Sequence, residues 1–157
     1  MKNKILKNAG MTLVELLSSF TLLTIVGILV TSVLFSGLKI YERTMEEARL
    51  RDEADIIMTH FINEFFTLKT SDIRASNEKF IEKTNGKITG FKDAKVYVND
   101  EEIKSSDSNI KIGSESVIND ITKNGEIDDV YEVVLVLKSK KTGQTLKLRS
   151  VFRIIQD

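Results

Sequence analysis

The sequence predicts an α+β fold in which one long N-terminal helix packs on a small antiparallel sheet. Residues 16–38 form a run of 23 positions without a charge, and residues 39–68 contain neither proline nor glycine. After residue 86, apolar residues alternate with other residues in several short segments. A helix and a sheet each bury one apolar face, so we expect the two elements to cover each other.

The first half of the predicted helix, residues 11–38, is long and apolar enough for a membrane span, since roughly 20 apolar residues cross the hydrocarbon core of a bilayer. This half also contains many small and weakly polar residues. Gly27 with Thr31 and Ser32 with Ser36 have the four-residue spacing by which membrane helices pack closely. The alternative is that the hydroxyl groups bond back to carbonyl groups of their own helix.

The second half of the helix, to about residue 68, has an apolar face with spacings of three and four residues. The residues of this face are Leu50, Ala54, Ile57, Met58, Phe61, Phe65 and Leu68. A second apolar stripe, formed by Met45, Ala48, Ile56 and Phe66, falls roughly on the opposite side. We interpret this second stripe as a contact with helices of neighbouring subunits; the alternative is that Phe66 covers the loop that follows the helix.

The segment after the helix, residues 69–86, is mostly polar and predicts a loop with one short helix around 77–83. Strands are predicted at 87–91, 94–98, 102–104, 109–112, 116–121, 130–138 and 145–155. Asn99 and Asp100 are expected to form a hairpin turn. The strongest alternation lies in 130–138, which we expect to pair with 145–155 across a turn at 140–143.

A short basic leader precedes the helix. Its charged residues are Lys2, Lys4 and Lys7, and Gly10 ends it. Lysine favours the cytoplasmic side of a membrane, so we expect the leader in the cytoplasm and the residues after Leu38 outside. An ordinary secretory signal is cleaved after its apolar run, whereas a cut at the glycine would leave the membrane helix on the protein.

The leader ending in Gly10, followed by Met11, Thr12, Leu13, Val14 and Glu15 and then by an apolar helix, resembles the class III signal of type IV prepilins and pseudopilins. The resemblance covers residues 7–38. It implies a pilin-like fold, cleavage between Gly10 and Met11 by a prepilin peptidase, and N-methylation of Met11. Most members of this family have phenylalanine in place of Met11, and many major pilins have a proline in the membrane helix that this chain lacks.

The resemblance divides the chain into a leader (1–10), a transmembrane and assembly half of the helix (11–38) and an extracytoplasmic helix and sheet domain (39–157). It implies a single-pass cell membrane protein with a cytoplasmic N-terminus, which joins a cell surface filament after assembly. The expected partners are the prepilin peptidase, other pilins or pseudopilins bound through the N-terminal helix, and the membrane.

Glu15 would be the fifth residue of the mature chain. A carboxylate inside a membrane helix usually has a partner, and cleavage after Gly10 would create one, the cationic amine of Met11. A neighbouring subunit shifted along the helix axis would present that amine to Glu15, so we predict that Glu15 sets the assembly register. The alternative is that Glu15, about 6 Å from Met11 along the axis, reaches the lipid headgroups unpaired.

The composition and the motifs do not indicate an enzyme. The chain has no cysteine, and without the three leader lysines it has 20 cations against 23 acids, a net charge of about −3. Its single histidine, His60, is expected on an exposed helix flank beside Glu64. Since no nucleophile and base, phosphate-binding loop or ligand cluster is visible, we predict no catalysis, no cofactor and no small-molecule substrate.

Two segments suggest further binding. Asp120, Thr122, Asn124, Gly125, Ile127 and Asp128 fit positions of an EF-hand calcium loop, but Tyr131 replaces its bidentate glutamate and Asn124-Gly125 is equally an ordinary turn. We therefore predict no metal site and keep Asp120, Asn124 and Asp128 as the candidates to check. Positive charge on the last hairpin would either bind DNA phosphates or block edge-to-edge aggregation. The residues that carry it are Lys138, Lys140, Lys141, Lys147 and Arg149.

The predicted function is that of a minor pilin or pseudopilin, a structural subunit of a type IV pilus-like filament that serves DNA uptake (competence), secretion, or surface adhesion or motility. The alternative is a membrane-tethered extracytoplasmic binding domain that never polymerises.

Overall fold

A computed structural model describes residues 12–122 and 129–154. Helix α1 spans Leu13–Thr67, so the prediction of one helix through both apolar stretches is confirmed. The chain forms two compact units with the boundary between Glu42 and Arg43. We call residues 43–157 the sheet domain.

A short 3₁₀ turn, Thr70–Asp72, follows the helix, and nine strands follow the turn in the described part of the chain. They are β1 (Ile73–Ser76), β2 (Phe80–Lys83), β3 (Ile88–Lys92), β4 (Lys95–Val98), β5 (Glu101–Ile103), β6 (Ile110–Ile112), β7 (Val117–Asp120), β8 (Asp129–Ser139) and β9 (Thr145–Ile154). The predicted α+β class is confirmed. The strands form two antiparallel sheets, however, and not the single small sheet that we expected.

The first sheet is a meander, β1 to β5 in chain order. The prediction of a helix at 77–83 is wrong, because the Asn77 side chain accepts the N–H groups of Lys79 and Phe80 and so forms a turn from which β2 begins. The turn at Asn99 and Asp100 is confirmed, since both residues have positive φ, 54° and 71°.

The strand predicted at 94–98 begins one residue later than expected, at Lys95. Ala94 was expected to open a strand, but with Asp93 it forms the β3–β4 turn, at φ 57° and 51° respectively. The register pairs Lys92 with Lys95, which leaves these two residues as the connection. Two-residue hairpins favour this conformation because its twist matches that of the flanking strands.

The second sheet is built around β8, which pairs with β9 from Asp129 opposite Ile154 to Lys138 opposite Thr145. Strands β6 and β7 also pair with β8, at its C-terminal and N-terminal parts respectively. Between them the Ser116 hydroxyl accepts the N–H of Val136 at 2.9 Å, so the edge stays bonded to β8 where the strand is interrupted.

The core of the sheet domain lies between the second half of α1 and the two sheets. All seven residues of the predicted apolar helix face are buried, which confirms that face. They meet Ile81, Phe91 and Val96 of the first sheet and alternate residues of β8, from Tyr131 to Leu137, of the second. Phe65 stacks on Phe152 with ring centroids 4.6 Å apart.

Candidate functional site

The beginning of α1 is the first part of the candidate site. Thr12 precedes the helix, and its hydroxyl oxygen accepts the N–H of Glu15 at 3.3 Å. Thr-x-x-Glu at this position is the pattern of a capping box, in which the hydroxyl satisfies a free N–H of the first turn. The Glu15 carboxylate, in that turn, also lies at the positive end of the helix dipole. Glu15 therefore has a local role in starting the helix, which our sequence reasoning did not consider.

The apolar segment of α1 exposes its large side chains. Leu13 is 75% exposed and Phe35 67% exposed, and an 18-residue window with a mean hydropathy of 2.2 contains no buried residue. By length and composition, this part of the helix could span a membrane.

The hydroxyl groups of this segment bond to their own helix. Ser18, Ser19, Thr21, Thr24 and Thr31 each donate to the carbonyl oxygen four residues earlier, at 2.7 to 2.9 Å. Thr31 thus bonds back to Gly27, as the alternative interpretation of this pair predicted. These bonds leave the donors satisfied in an apolar surrounding, where an unpaired hydroxyl is costly.

One face of the same segment has a recess into which a side chain could fit. Leu16, Ser19, Phe20 and Leu23 line a shallow groove of about 390 Å³. The spacing i, i+3, i+4, i+7 is that of the four residues that receive one side chain of a partner helix in knobs-into-holes packing. Gly10 and Met11, the predicted cleavage site, lie outside the described residues.

The second apolar stripe is on the surface of the sheet domain. Met45 is 42% exposed, Ile56 44% and Phe66 81%, and Ala48 is also exposed. The side chains are therefore available for contacts, whereas the opposite face of the helix is fully occupied by the core. At 81% exposure, most of the Phe66 side chain lies in solvent.

Three buried glutamates of α1 bond to strand residues or to the connection between the two sheets, and our sequence reasoning missed this role. Glu46 is 5% exposed and accepts the hydroxyl of Ser139. Glu53 is 3% exposed and accepts the N–H of Ser106 with both oxygens, at 3.2 Å. The sequence offered one signal of this burial: each glutamate lies three or four residues from residues of the apolar face.

Glu64 is the third of these glutamates, and the prediction that it pairs with His60 on an exposed flank is wrong. Its side chain is 9% exposed and forms an ion pair with Lys83, itself 14% exposed. The Thr89 hydroxyl donates to the same carboxylate oxygen at 3.4 Å. His60 is exposed, as expected, but no ion pair between it and Glu64 is found among the described residues.

The calcium candidates are described only in part. Oδ1 of Asp120 accepts the N–H and the hydroxyl of Thr122 at 3.0 and 2.6 Å, so that oxygen serves a local turn. Asn124 and Asp128 lie outside the described residues. Among the residues that the structure describes, no cluster of three histidine, cysteine, aspartate or glutamate side chains has a metal-binding arrangement.

The basic hairpin has partly compensated charges. Lys138 contacts Glu115 at 3.5 Å, Arg149 contacts Glu132 at 3.3 Å, and Nζ of Lys140 donates to the carbonyl of Ser108 at 2.6 Å. Lys141 and Lys147 are exposed. The structure thus places all five predicted cations on the two arms and turn of one hairpin, β8 to β9.

Among the described side chains of the sheet domain, three have shifted pKa values, each with a structural cause. Burial raises the pKa of the Tyr131 phenol, and the hydrogen bond to Glu102 raises the pKa of Lys95. The N–H of Asn109 donates to Asp107 at 2.8 Å and lowers the pKa of that carboxyl. Tyr131 belongs to the core, and the other two are surface or loop contacts, so the shifts do not mark a catalytic centre.

A cleft of about 310 Å³ lies where the two sheets meet. Phe80, Phe91 and Ile112 are among its lining residues. Nζ of Lys79, at the same place, donates to the carbonyl oxygens of Ser114 and Ser116 at 2.7 and 2.8 Å. This ammonium group joins the two sheets.

Comparisons of this chain with protein-family models, with curated proteins and with solved structures give no match.

Proposed function

We propose that the protein is a structural subunit, a minor pilin or pseudopilin, of a type IV pilus-like filament. The observation that carries this proposal is the helix α1: its exposed apolar part is capped by Thr12 and has Glu15 in its first turn, and its second part contributes one side of the core of an α+β domain. The leader motif before it supplies the processing site. In this proposal the chain is cut after Gly10, methylated at Met11 and drawn from the membrane into the filament.

Packing of apolar helices drives assembly in this proposal. The groove at Leu16, Ser19, Phe20 and Leu23 receives side chains of a like helix, and the hydroxyl groups bonded to their own helix add no unpaired donor to the interface. The exposed stripe on the sheet domain, including Met45 and Ile56, extends the contact beyond the membrane.

Processing is tested first, by mass spectrometry of the mature N-terminus in cells that contain the peptidase. We expect a chain that begins at N-methylated Met11, and we expect Gly10→Val to retain the leader because valine blocks close approach of the backbone to the protease. A mature protein that begins beyond Leu38 would contradict the proposal.

Glu15 has two candidate roles, and three substitutions separate them. Glutamine preserves a capping box but has no charge, so Glu15→Gln should keep helix formation and lose incorporation if Glu15 pairs with an amine of a neighbouring subunit. Glu15→Ala should keep the observed cap bond, because Glu15 contributes its backbone N–H to it, and should also lose incorporation, whereas Thr12→Ala should remove only that bond. If Glu15→Gln subunits were incorporated normally, the role at the helix N-terminus would be the only one left for Glu15.

The alternative function is a tethered binding domain that does not polymerise. The native chain has no cysteine, so single cysteines at Met45 and Ile56 give unambiguous crosslinks. A filament subunit should crosslink to other subunits at these positions and not from a control cysteine at Lys87, an exposed turn residue of the first sheet. Monomers only, together with neighbouring genes that encode no assembly ATPase, would favour the tethered domain.

A further inference from the structure

The edge of the second sheet at β9 is long, and every second residue from Thr145 to Val151 is exposed there. Among the described strands, β9 pairs with β8 alone, over ten residues. The edge strands of the first sheet, β1 and β5, have four and three residues. A long edge strand presents unpaired backbone groups to which another extended chain can bond.

The hydrogen bonds of β8 identify which backbone groups of β9 are directed to this edge. The carbonyl of Val130 accepts the N–H of Ile121, and the carbonyl of Val136 accepts that of Gly113, so even-numbered residues of β8 bond on the β6 and β7 side. Because antiparallel ladders alternate, odd-numbered residues bond to β9. Their partners are Leu146, Leu148, Ser150 and Phe152. The intervening residues, Thr145, Lys147, Arg149 and Val151, therefore direct eight backbone groups, one N–H and one C=O each, to the free edge.

The two faces of β9 differ in chemistry. Lys147 and Arg149 are exposed on the outer face, and the Arg149 side chain remains 62% exposed although it contacts Glu132. On the inner face Leu146 and Leu148 pack against the core but are only partly buried. A strand added here would meet cations on one side and apolar side chains on the other.

This pattern argues against a second copy of β9 as the occupant. Pairing of two β9 strands would bring Lys147 and Arg149 of both copies onto one face, and like charges opposite each other destabilise a strand pair. The free edges of the first sheet are poor complements. Strand β1 carries Arg74, and β5, although acidic, offers only three residues, of which Glu102 already contacts Lys95 at 2.9 Å. Complementary charge requires an acidic strand.

We propose that the free edge of β9 binds an extended segment of another protein by strand addition. In that segment carboxylates at alternate positions face Lys147 and Arg149, and apolar side chains at the intervening positions cover Leu146 and Leu148. This binding does not require polymerisation, so it stands or falls separately from the filament proposal.

The test uses the full chain in detergent micelles and a blocked eight-residue peptide in which glutamate and valine alternate. Fluorescence anisotropy measures the affinity, and amide hydrogen exchange locates the contact. We expect binding, with new protection of the amides of Lys147, Arg149 and Val151. The matched peptide in which lysine replaces glutamate should bind at least about tenfold more weakly, because it opposes the edge cations.

Val151→Pro tests the backbone contact without a change of charge. The N–H of Val151 is directed away from β8, so proline at this position removes no bond of the native ladder. We expect the unfolding midpoint to be retained and the peptide affinity to fall about tenfold, the effect of one or two lost hydrogen bonds. Lys87→Glu, a charge reversal on the other sheet, should leave the affinity unchanged.

A charge exchange provides a second variant should proline disturb the fold. Lys147→Glu with Arg149→Glu should reverse the preference between the two peptides. Three results would overturn the proposal, the first being that the peptide does not protect the edge amides. The second is that Val151→Pro leaves the peptide affinity unchanged and a single-stranded oligonucleotide competes with the peptide. The third is that the charge-reversed variant associates with itself while the native chain binds neither peptide. The second result would indicate that Lys147 and Arg149 bind phosphates, and the third that they prevent aggregation.

Discussion

Removal of the ammonium group of Lys83 is expected to destabilise the sheet domain more strongly than any other loss of a single charge described above. Lys83 is 14% exposed and Glu64 is 9% exposed, so both groups of this ion pair lie largely out of water. In Lys83→Met the Glu64 carboxylate keeps only the hydroxyl of Thr89, at 3.4 Å, among its described partners. Loss of one partner of a buried pair costs about 3–5 kcal/mol, because the other charge stays desolvated.

Urea unfolding of the full chain in micelles, followed by circular dichroism, measures this effect. With an m-value near 2 kcal/mol/M, the expected loss lowers the midpoint by about 2 M. The control is Arg51→Met, which breaks the ion pair with Glu47 at 2.8 Å; these side chains are 65% and 54% exposed, so the loss should stay near about 0.5 kcal/mol.

The double variant Glu64→Leu with Lys83→Met completes the cycle. Replacement of a buried ion pair by apolar residues of similar size is often neutral or stabilising, so the double variant should recover most of the midpoint that Lys83→Met loses. If Lys83→Met cost no more than Arg51→Met, or if the double variant were no more stable than Lys83→Met, the assignment of Glu64 as a desolvated partner would be wrong.

Three further predictions concern the sheet domain. Gly90→Ala should lower the free energy of unfolding in urea by about 2–4 kcal/mol, because at φ 148° the new Cβ would clash with a backbone carbonyl oxygen. Gly86→Ala should lower it by only about 1–2 kcal/mol, because Gly86 has a φ of 81° but no other atom lies within 4 Å of the new Cβ. Phe61→Ala, at 0% exposure, should cost about 3–5 kcal/mol, and Phe66→Ala, at 81% exposure, less than about 0.5 kcal/mol. Burial raises the pKa of Tyr131 in the folded state, so the neutral phenol contributes fully to stability below the unfolded pKa of about 10. This contribution is lost as the pH rises through the folded pKa. In an alkaline titration the stability of Tyr131→Phe should therefore not show this decrease.

The sequence alone was enough to predict the helix and its buried face. The spacing of residues from Leu50 to Leu68 repeats the helical period without a proline or glycine, and all seven predicted residues are buried. The apolar segment of β8 was equally informative, because a short apolar run that is rich in valine and bounded by turns is typical of a strand buried on both faces. These features depend on residues close together in the chain.

The first two strands and the buried acids could not be predicted in the same way. β1 and β2 are short and contain polar residues, and their pairing with each other and with β3 decides their conformation. At the N-terminus, Thr12 and Glu15 were visible as a motif, but their hydrogen bond depends on where the helix begins.

The sequence by itself therefore determined the apolar helix, its charge-free first half and the strand alternation, since each follows from the local period of side chains. Only the tertiary structure decided that Glu46 and Glu53 are buried, because their partners Ser139 and Ser106 lie 93 and 53 residues away in the chain. Burial of a carboxylate is costly without a hydrogen-bond donor, and the donors reach these two groups only when the sheets close over the helix.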